Sequence, residues 1–186
     1  MHFENQKKTF LAKLDKSKKG DIDKDIILLI NKVNKSKNYY TTSSCSGRIV
    51  LLAKELGKKK GSRWLFSSHE KINFKEIKKS LEKIPKQDVY FRFEPLILHA
   101  AAKTIEDAQR LINLARDLGF KRTGIQSTKN RIIIEIASTE ILATIISRKG
   151  KLLIEEDYLK VLVEEANKRL DRTKKKIKEF YRKFIS

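Results

Sequence analysis

Hydrophobic positions change their spacing several times along the chain, and each change marks an element. Phe3, Phe10, Leu11 and Leu14 recur at helical spacing and predict a short amphipathic opening helix that ends at the breaker-rich "DKSKKGD". Ile22, Ile26, Leu29, Ile30 and Val33 predict a second helix, with Asp21 as its N-cap. The period then shortens to two. "NYYTTSS" and "RIVLLAKE" read as strands on either side of a serine run, and "RWLFSSH" reads as a third. Phe74, Ile77, Leu81 and Ile84 mark a helix. Beyond Pro85, "DVYFRFE" places Val89, Phe91 and Phe93 on one face, and "LILHAAA" past Pro95 reads as a separate strand. Thr104 and Asp107 resemble a capping box for a helix whose stripe is Ile105, Ala108, Leu111, Ile112, Ala115 and Leu118 and whose end is Gly119. "TGIQST", "RIIIEIAS" and "ILATIIS" follow as strands, with "KLLI" as an edge strand. From Glu155 onward Leu159, Leu162, Ala166, Leu170, Ile177 and Phe180 face inward, while Lys168, Arg169, Arg172, Lys174, Lys175, Lys176 and Arg182 face outward. The order predicts an α+β fold: a single domain over residues 1–186, with a mixed or antiparallel sheet, flanking helices and a long basic C-terminal helix.

Charge changes the picture from fold to partner. The 186 residues hold 43 Lys and Arg against 23 acidic residues, a net charge of +20, and solubility alone asks for far less. Thermophile-like lysine filler is normally balanced by glutamate, and here it is not, so a polyanion is the expected partner. Nucleic acid is favoured over a membrane surface, because no run of eighteen apolar residues occurs and the basic residues are not confined to one amphipathic helix. The lone cysteine excludes an internal disulfide, and three histidines without CxxC or HExxH spacing offer no zinc set. A reduced, cytoplasmic, metal-free protein is expected. None of the seven glycines falls in GxGxxG or GxxxxGK, so neither an ordinary dinucleotide site nor a P-loop is supported.

Chemistry concentrates in a few segments. "TTSSCSGR" between two strands reads as a tight connection in which Gly47 supplies a positive φ, successive N–H groups make an anion nest and Arg48 adds a bidentate clamp. A plain serine-rich hairpin turn is the alternative. Cys45 is a nucleophile if His69 or His99 stands beside it as a base, and otherwise a small buried hydrophobe. In "DKSKKG", Asp15 can cap backbone or accept a proton and Lys19 can meet a phosphate or carboxylate; the alternative is a simple interhelical loop. Glu94 and His99 flank the break at Pro95 and could share acid–base work, against a structural histidine at a sheet rim. Trp64, the single tryptophan, could stack a base or ligand, but a tryptophan in a strand is more often core.

The series "DKSKKGDID", "YYTTSSCSGRI", "WLFSSH", "FEPLILHA", "DLGFKRTGI", "ST" at Ser138 and Thr139, and "YLKVLVEEANKRL" resembles, in order and interval, the tRNA wybutosine-synthesising protein 3 family over nearly the whole chain. The resemblance implies an S-adenosylmethionine-dependent methyltransferase acting on N4 of a tricyclic guanosine derivative beside the anticodon of tRNA(Phe). On that reading Asp15, Ser17 and Lys19 join Ser43, Ser44, Cys45, Ser46, Gly47, Arg48, Trp64 and His69 in binding cofactor and substrate. Arg48 takes the methionine carboxylate or a tRNA phosphate, Glu94 or His99 accepts the N4 proton, and Trp64 or Phe93 walls the tricycle. Lys174, Lys175 and Lys176 contact RNA. A non-catalytic basic RNA-binding module is the alternative function.

Overall fold

Among the described residues of the computed structural model, 3–14, 23–54 and 62–185, the first elements are α1 (Phe3–Leu14), a 3-10 turn (Lys24–Ile26), α2 (Ile27–Lys35), β1 (Tyr39–Lys54), β2 (Arg63–Ser68) and α3 (Phe74–Ser80). They continue as β3 (Asp88–Ala102), α4 (Ile105–Asp117), β4 (Arg122–Ser127), β5 (Ile132–Ala137), β6 (Leu142–Arg148), β7 (Lys151–Leu152) and α5 (Glu156–Lys183). The α+β class expected from the sequence is the class found. The chain divides into two compact units, one made of Met1–Ser46, Leu96–Thr139 and Lys174–Ser186, the other of Gly47–Pro95 and Glu140–Thr173.

In the first unit β5 pairs antiparallel with β3 from Ile97↔Ala137 to Ala102↔Ile132 and, on its other edge, with β4. Alternation sends Leu96, Leu98, Ala100, Ile134 and Ile136 to one face, where they meet Ala108, Leu111, Ile112 and Ala115 of α4, the stripe of α2 and the end of α5. Each large side chain so buried contributes about 1.5–3 kcal/mol. Helix α4 starts where the Thr104 hydroxyl accepts the Asp107 N–H at 3.1 Å and stops before Gly119, whose φ of +87° suits a residue without Cβ. Tyr39 anchors β1 to this helix, its hydroxyl donating to the Asp107 carbonyl at 2.8 Å. Burial, and then the nearby Asp107 charge, raise the Tyr39 pKa above its usual value.

In the second unit the strands lie in the order β2-β1-β3-β6-β7, and the β1–β2, β3–β6 and β6–β7 ladders are antiparallel. Ile49, Leu51, Val89, Phe91 and Phe93 turn to a core closed by Ile77 of α3 and by Leu159, Leu162, Ala166 and Leu170 of α5. Asn167 holds the Ile72 backbone from both sides, accepting its N–H at 3.0 Å and donating to its carbonyl at 2.8 Å.

Two sequence expectations fail for the same reason. The serine run is not a connection between strands: β1 is one strand of 16 residues that carries Gly47 at φ +104° in its interior. Glycine takes that left-handed value without steric cost, so a residue read as a turn signal is absorbed within the strand. Likewise β3 runs through Pro95. Proline lacks an N–H, yet its φ fits extended chain, and it falls between the stretch paired with β6 (Val89–Phe93) and the stretch paired with β5 (Ile97–Ala102), where neither ladder asks it to donate. The Asp21 cap lies outside the described residues, and the helix enters through the turn at Lys24 instead. Among the described residues no helix is long and apolar enough to cross a membrane.

Candidate functional site

Within the first unit, His99 stands on β3 between Leu98 and Ala100, both fully buried in the core, so alternation turns its ring to the sheet's other face. Glu135 lies directly opposite it on β5, and Gly124 lies opposite Glu135 on β4. The His99 Nε2 is 3.1 Å from Glu135 Oε2 and its Nδ1 is 2.8 Å from the Ser43 Oγ. An ionised carboxylate only accepts. Nε2 therefore carries the proton and donates to Glu135, while the Nδ1 lone pair takes the hydrogen of Ser43. The His99 and Glu135 side chains are 18% and 29% exposed, and Ser43 is exposed. A fixed tautomer with its basic nitrogen directed at a solvent-reaching hydroxyl is arranged to accept a proton from a ligand.

Within the second unit, Arg48 of β1 donates from Nε to Glu94 Oε2 at 2.8 Å, and Arg92 Nη1 lies 3.3 Å from Glu94 Oε1. Both carboxylate oxygens of Glu94 thus have a guanidinium partner, which leaves His99 as the better placed of the two expected proton acceptors. The Arg48 guanidinium also lies 4.1 Å from the centroid of the Trp64 ring. Trp64 is 53% exposed, so the core role favoured from the sequence is wrong: the ring sits on the strand face opposite the core, propped by a planar cation. Phe93 is fully buried in the core and cannot wall a ligand. His69 donates from Nδ1 to the Gly47 carbonyl at 2.8 Å.

The rest of the hydroxyl run divides by burial. Ser44 and Cys45 are half-buried. Ser46 is 1% exposed, its N–H donating to Asp23 Oδ2 at 2.6 Å, while its hydroxyl has no hydrogen-bond partner among the described residues. Extended backbone points successive N–H groups to opposite sides, so the expected anion nest does not form. Asp15, Ser17 and Lys19 lie outside the described residues. In α5, Lys174 pairs with Asp25 at 2.8 Å, Lys176 lies against Gly119 and Lys175 is exposed. Two cavities of the first unit, about 520 and 290 Å3, are lined elsewhere, one by Tyr39, Arg110 and Phe184 among others and one by Phe3, Lys103 and Arg131 among others.

Sequence reasoning missed Glu135, Asp23 and Arg92. Glu135 did leave a signal, the one carboxylate inside the apolar run "RIIIEIAS". Asp23 left none, because an acid before a helical stripe reads as a cap. Arg92 alternates with Phe91 and Phe93 and reads as an ordinary solvent-face residue.

A protein-family model described as Methyltransferase TYW3 matches residues 5–186. A Pyrococcus furiosus protein named tRNA(Phe) 7-((3-amino-3-carboxypropyl)-4-demethylwyosine(37)-N(4))-methyltransferase 1 is 41% identical over 180 residues, covering 95% of this chain and 92% of that protein. A Danio rerio protein named tRNA wybutosine-synthesizing protein 3 homolog is 37% identical over 183 residues, covering 96% of this chain and 72% of its own. A solved structure from Pyrococcus horikoshii superposes with a TM-score of 0.93 at 39% identity, covering 98% of this chain and 95% of that one.

Proposed function

Since the chain belongs to the TYW3 methyltransferase family, we propose that it methylates N4 of the 7-(3-amino-3-carboxypropyl)-4-demethylwyosine base at position 37 of tRNA(Phe), beside the anticodon, with S-adenosylmethionine as donor. The names of its relatives support the substrate, and the charge of +20 supports a nucleic-acid partner. The two units act together as one methyltransferase domain over residues 1–186, a reading supported by the span of the family match. We place the reaction in the cytoplasm.

The observation that carries the chemistry is His99 held between Ser43 and Glu135. S-adenosylmethionine, when bound, would supply an electrophilic methyl group for N4, and its C–S bond would break as the C–N4 bond formed. The N4 proton released must go to a base. Ser43 Oγ accepts it while passing its own hydrogen to His99 Nδ1, and the imidazolium so formed is stabilised by the Glu135 carboxylate. The residues fit such a donor: Gly124 leaves open space beside Glu135, since a Cβ there would meet nothing within 4 Å, and the half-buried Ser44 offers a hydroxyl. Ser44 and Gly124, with Asp15, Ser17 and Lys19, would hold it. Arg48 is less suited to the methionine carboxylate than the sequence suggested, because its Nε is already committed to Glu94.

Calorimetric titration with S-adenosylmethionine and with S-adenosylhomocysteine tests the donor. A dissociation constant in the micromolar range, about −8 kcal/mol, is expected. No heat and no thermal shift at millimolar ligand would favour the RNA-binding module without catalysis.

A further inference from the structure

The second unit has a sheet face to which the proposed proton relay gives no role. With Ile49, Leu51, Val89, Phe91 and Phe93 in the core, alternation sets Arg48 of β1 and Tyr90, Arg92 and Glu94 of β3 on the opposite side. Trp64 of β2 lies across from Leu52. Arg48 covers part of its ring, yet 53% of the residue remains exposed. A large aromatic held this way by a planar cation is presented and fixed in orientation, with little rotamer freedom left to lose when something binds. On the same face Lys54 and Ser67 are exposed, while the apolar Val50 and Leu52 of β1 are 1% and 9% exposed. A protein partner would be met by a contiguous exposed apolar patch, and among the described residues none surrounds this ring.

We infer that this face is a platform for unpaired RNA nucleotides, with Trp64 and Tyr90 as stacking surfaces and Arg92 as a phosphate contact. The inference rests on the reading of RNA as substrate. β1 separates β2 from β3, so the strands that carry the two rings run about 10 Å apart. Stacked neighbours in a nucleic acid are about 3.4 Å apart. The platform therefore takes bases already splayed from one another, as in a loop, and not a continuous stack or a duplex. Arg48 and Arg92 together outweigh Glu94, which keeps the face attractive to phosphate.

Trp64 is the only tryptophan, so intrinsic tryptophan emission reports on this face alone. The wild-type protein is titrated with a short single-stranded RNA of mixed sequence, with the same RNA annealed into a duplex, and with S-adenosylmethionine. Saturable quenching by the single strand is expected, with no comparable change from the duplex or the donor. Fluorescence anisotropy of the labelled single strand then reads the variants. Trp64→Ala should weaken binding about five- to one-hundred-fold, Trp64→Phe should keep most of it, and Arg92→Ala should reduce the slope of log K against log salt by about 0.7. Binding by anisotropy with unchanged emission and an unaffected Trp64→Ala would overturn the inference, as would quenching by S-adenosylmethionine but not by RNA. Quenching by RNA in a protein that transfers no methyl group would sink the proposed function and leave the platform standing. Active methyl transfer without quenching would do the reverse.

Discussion

Replacing Glu135 by glutamine keeps the shape of the side chain and removes one negative charge from the far side of His99. A hydrogen bond to a charged group is worth about 1.5–3 kcal/mol against about 0.5–1.5 for a neutral pair, a difference of about 1–1.5 kcal/mol. The 3.1 Å contact is partly solvated, with side-chain exposures of 18% and 29%, and screening pulls the figure toward about 1 kcal/mol. If the carboxylate stabilises an imidazolium formed during transfer, that energy appears in the barrier. The methyl-transfer rate constant should then fall roughly fivefold for Glu135→Gln, while the dissociation constants for S-adenosylmethionine and tRNA stay near wild type. Glu135→Ala removes the acceptor and frees the ring to change tautomer, for a larger loss on the order of tenfold to a hundredfold. The assay is single-turnover methylation with both substrates saturating. Calorimetry and anisotropy follow binding, circular dichroism follows folding, and Glu135→Asp serves as the conservative rescue. A purely structural Glu135 would lower stability or binding and spare the rate constant of the folded complex. An unchanged rate constant in both variants beside an active wild type would refute the relay.

Four further variants test other contacts. Cys45→Ser should keep the fold and most of the methyl transfer, whereas Arg48→Lys loses the Nε bond to Glu94 and the planar stack on Trp64; that costs about 1–2 kcal/mol and lowers the thermal midpoint by roughly 2–8 °C, while an inactive Cys45→Ser would make the thiol the centre of the chemistry. Thr104→Ala removes the α4 cap and should cost about 1 kcal/mol, or roughly 2–4 °C by calorimetric scanning. Because the Tyr39 pKa is raised in the folded chain above the ordinary tyrosine value of 10.0, the unfolded chain releases that proton first; the contribution is present below pH 10.0 and is lost as pH rises from there through the folded value. Denaturant titrations across that window should show a shallower fall for Tyr39→Phe than for wild type, and parallel falls would contradict it.

The helices and the core were legible because their signals are local. The α4 stripe, its Thr104 cap and its closing Gly119 lie within one short segment, and each does in three dimensions what its spacing announced. The inward positions of α5 from Leu159 to Phe180 are buried as read. What the pattern concealed was strand continuity, since Gly47 and Pro95 end strands in most contexts and here the strands run on through them. The proposed relay was half legible. His99 and the serine run stood out by residue type, but Glu135 becomes their partner only through the β3–β5 register, which joins positions 36 residues apart. Trp64 was misjudged because burial of a strand residue depends on which face is covered, and a period of two names the faces without saying which one meets a helix.

Methyl transfer to one nitrogen of one nucleotide can be read directly. Purified protein is incubated with tRNA(Phe) carrying the demethylated base at position 37 and with S-adenosylmethionine labelled in its methyl group, and the RNA is digested and its nucleosides separated by mass. One labelled methyl group per tRNA is expected, on N4 of that base, with a markedly slower transfer by His99→Ala protein that still binds both substrates. Transfer to a different nucleotide or atom, or no transfer by folded protein that binds both substrates, would contradict it.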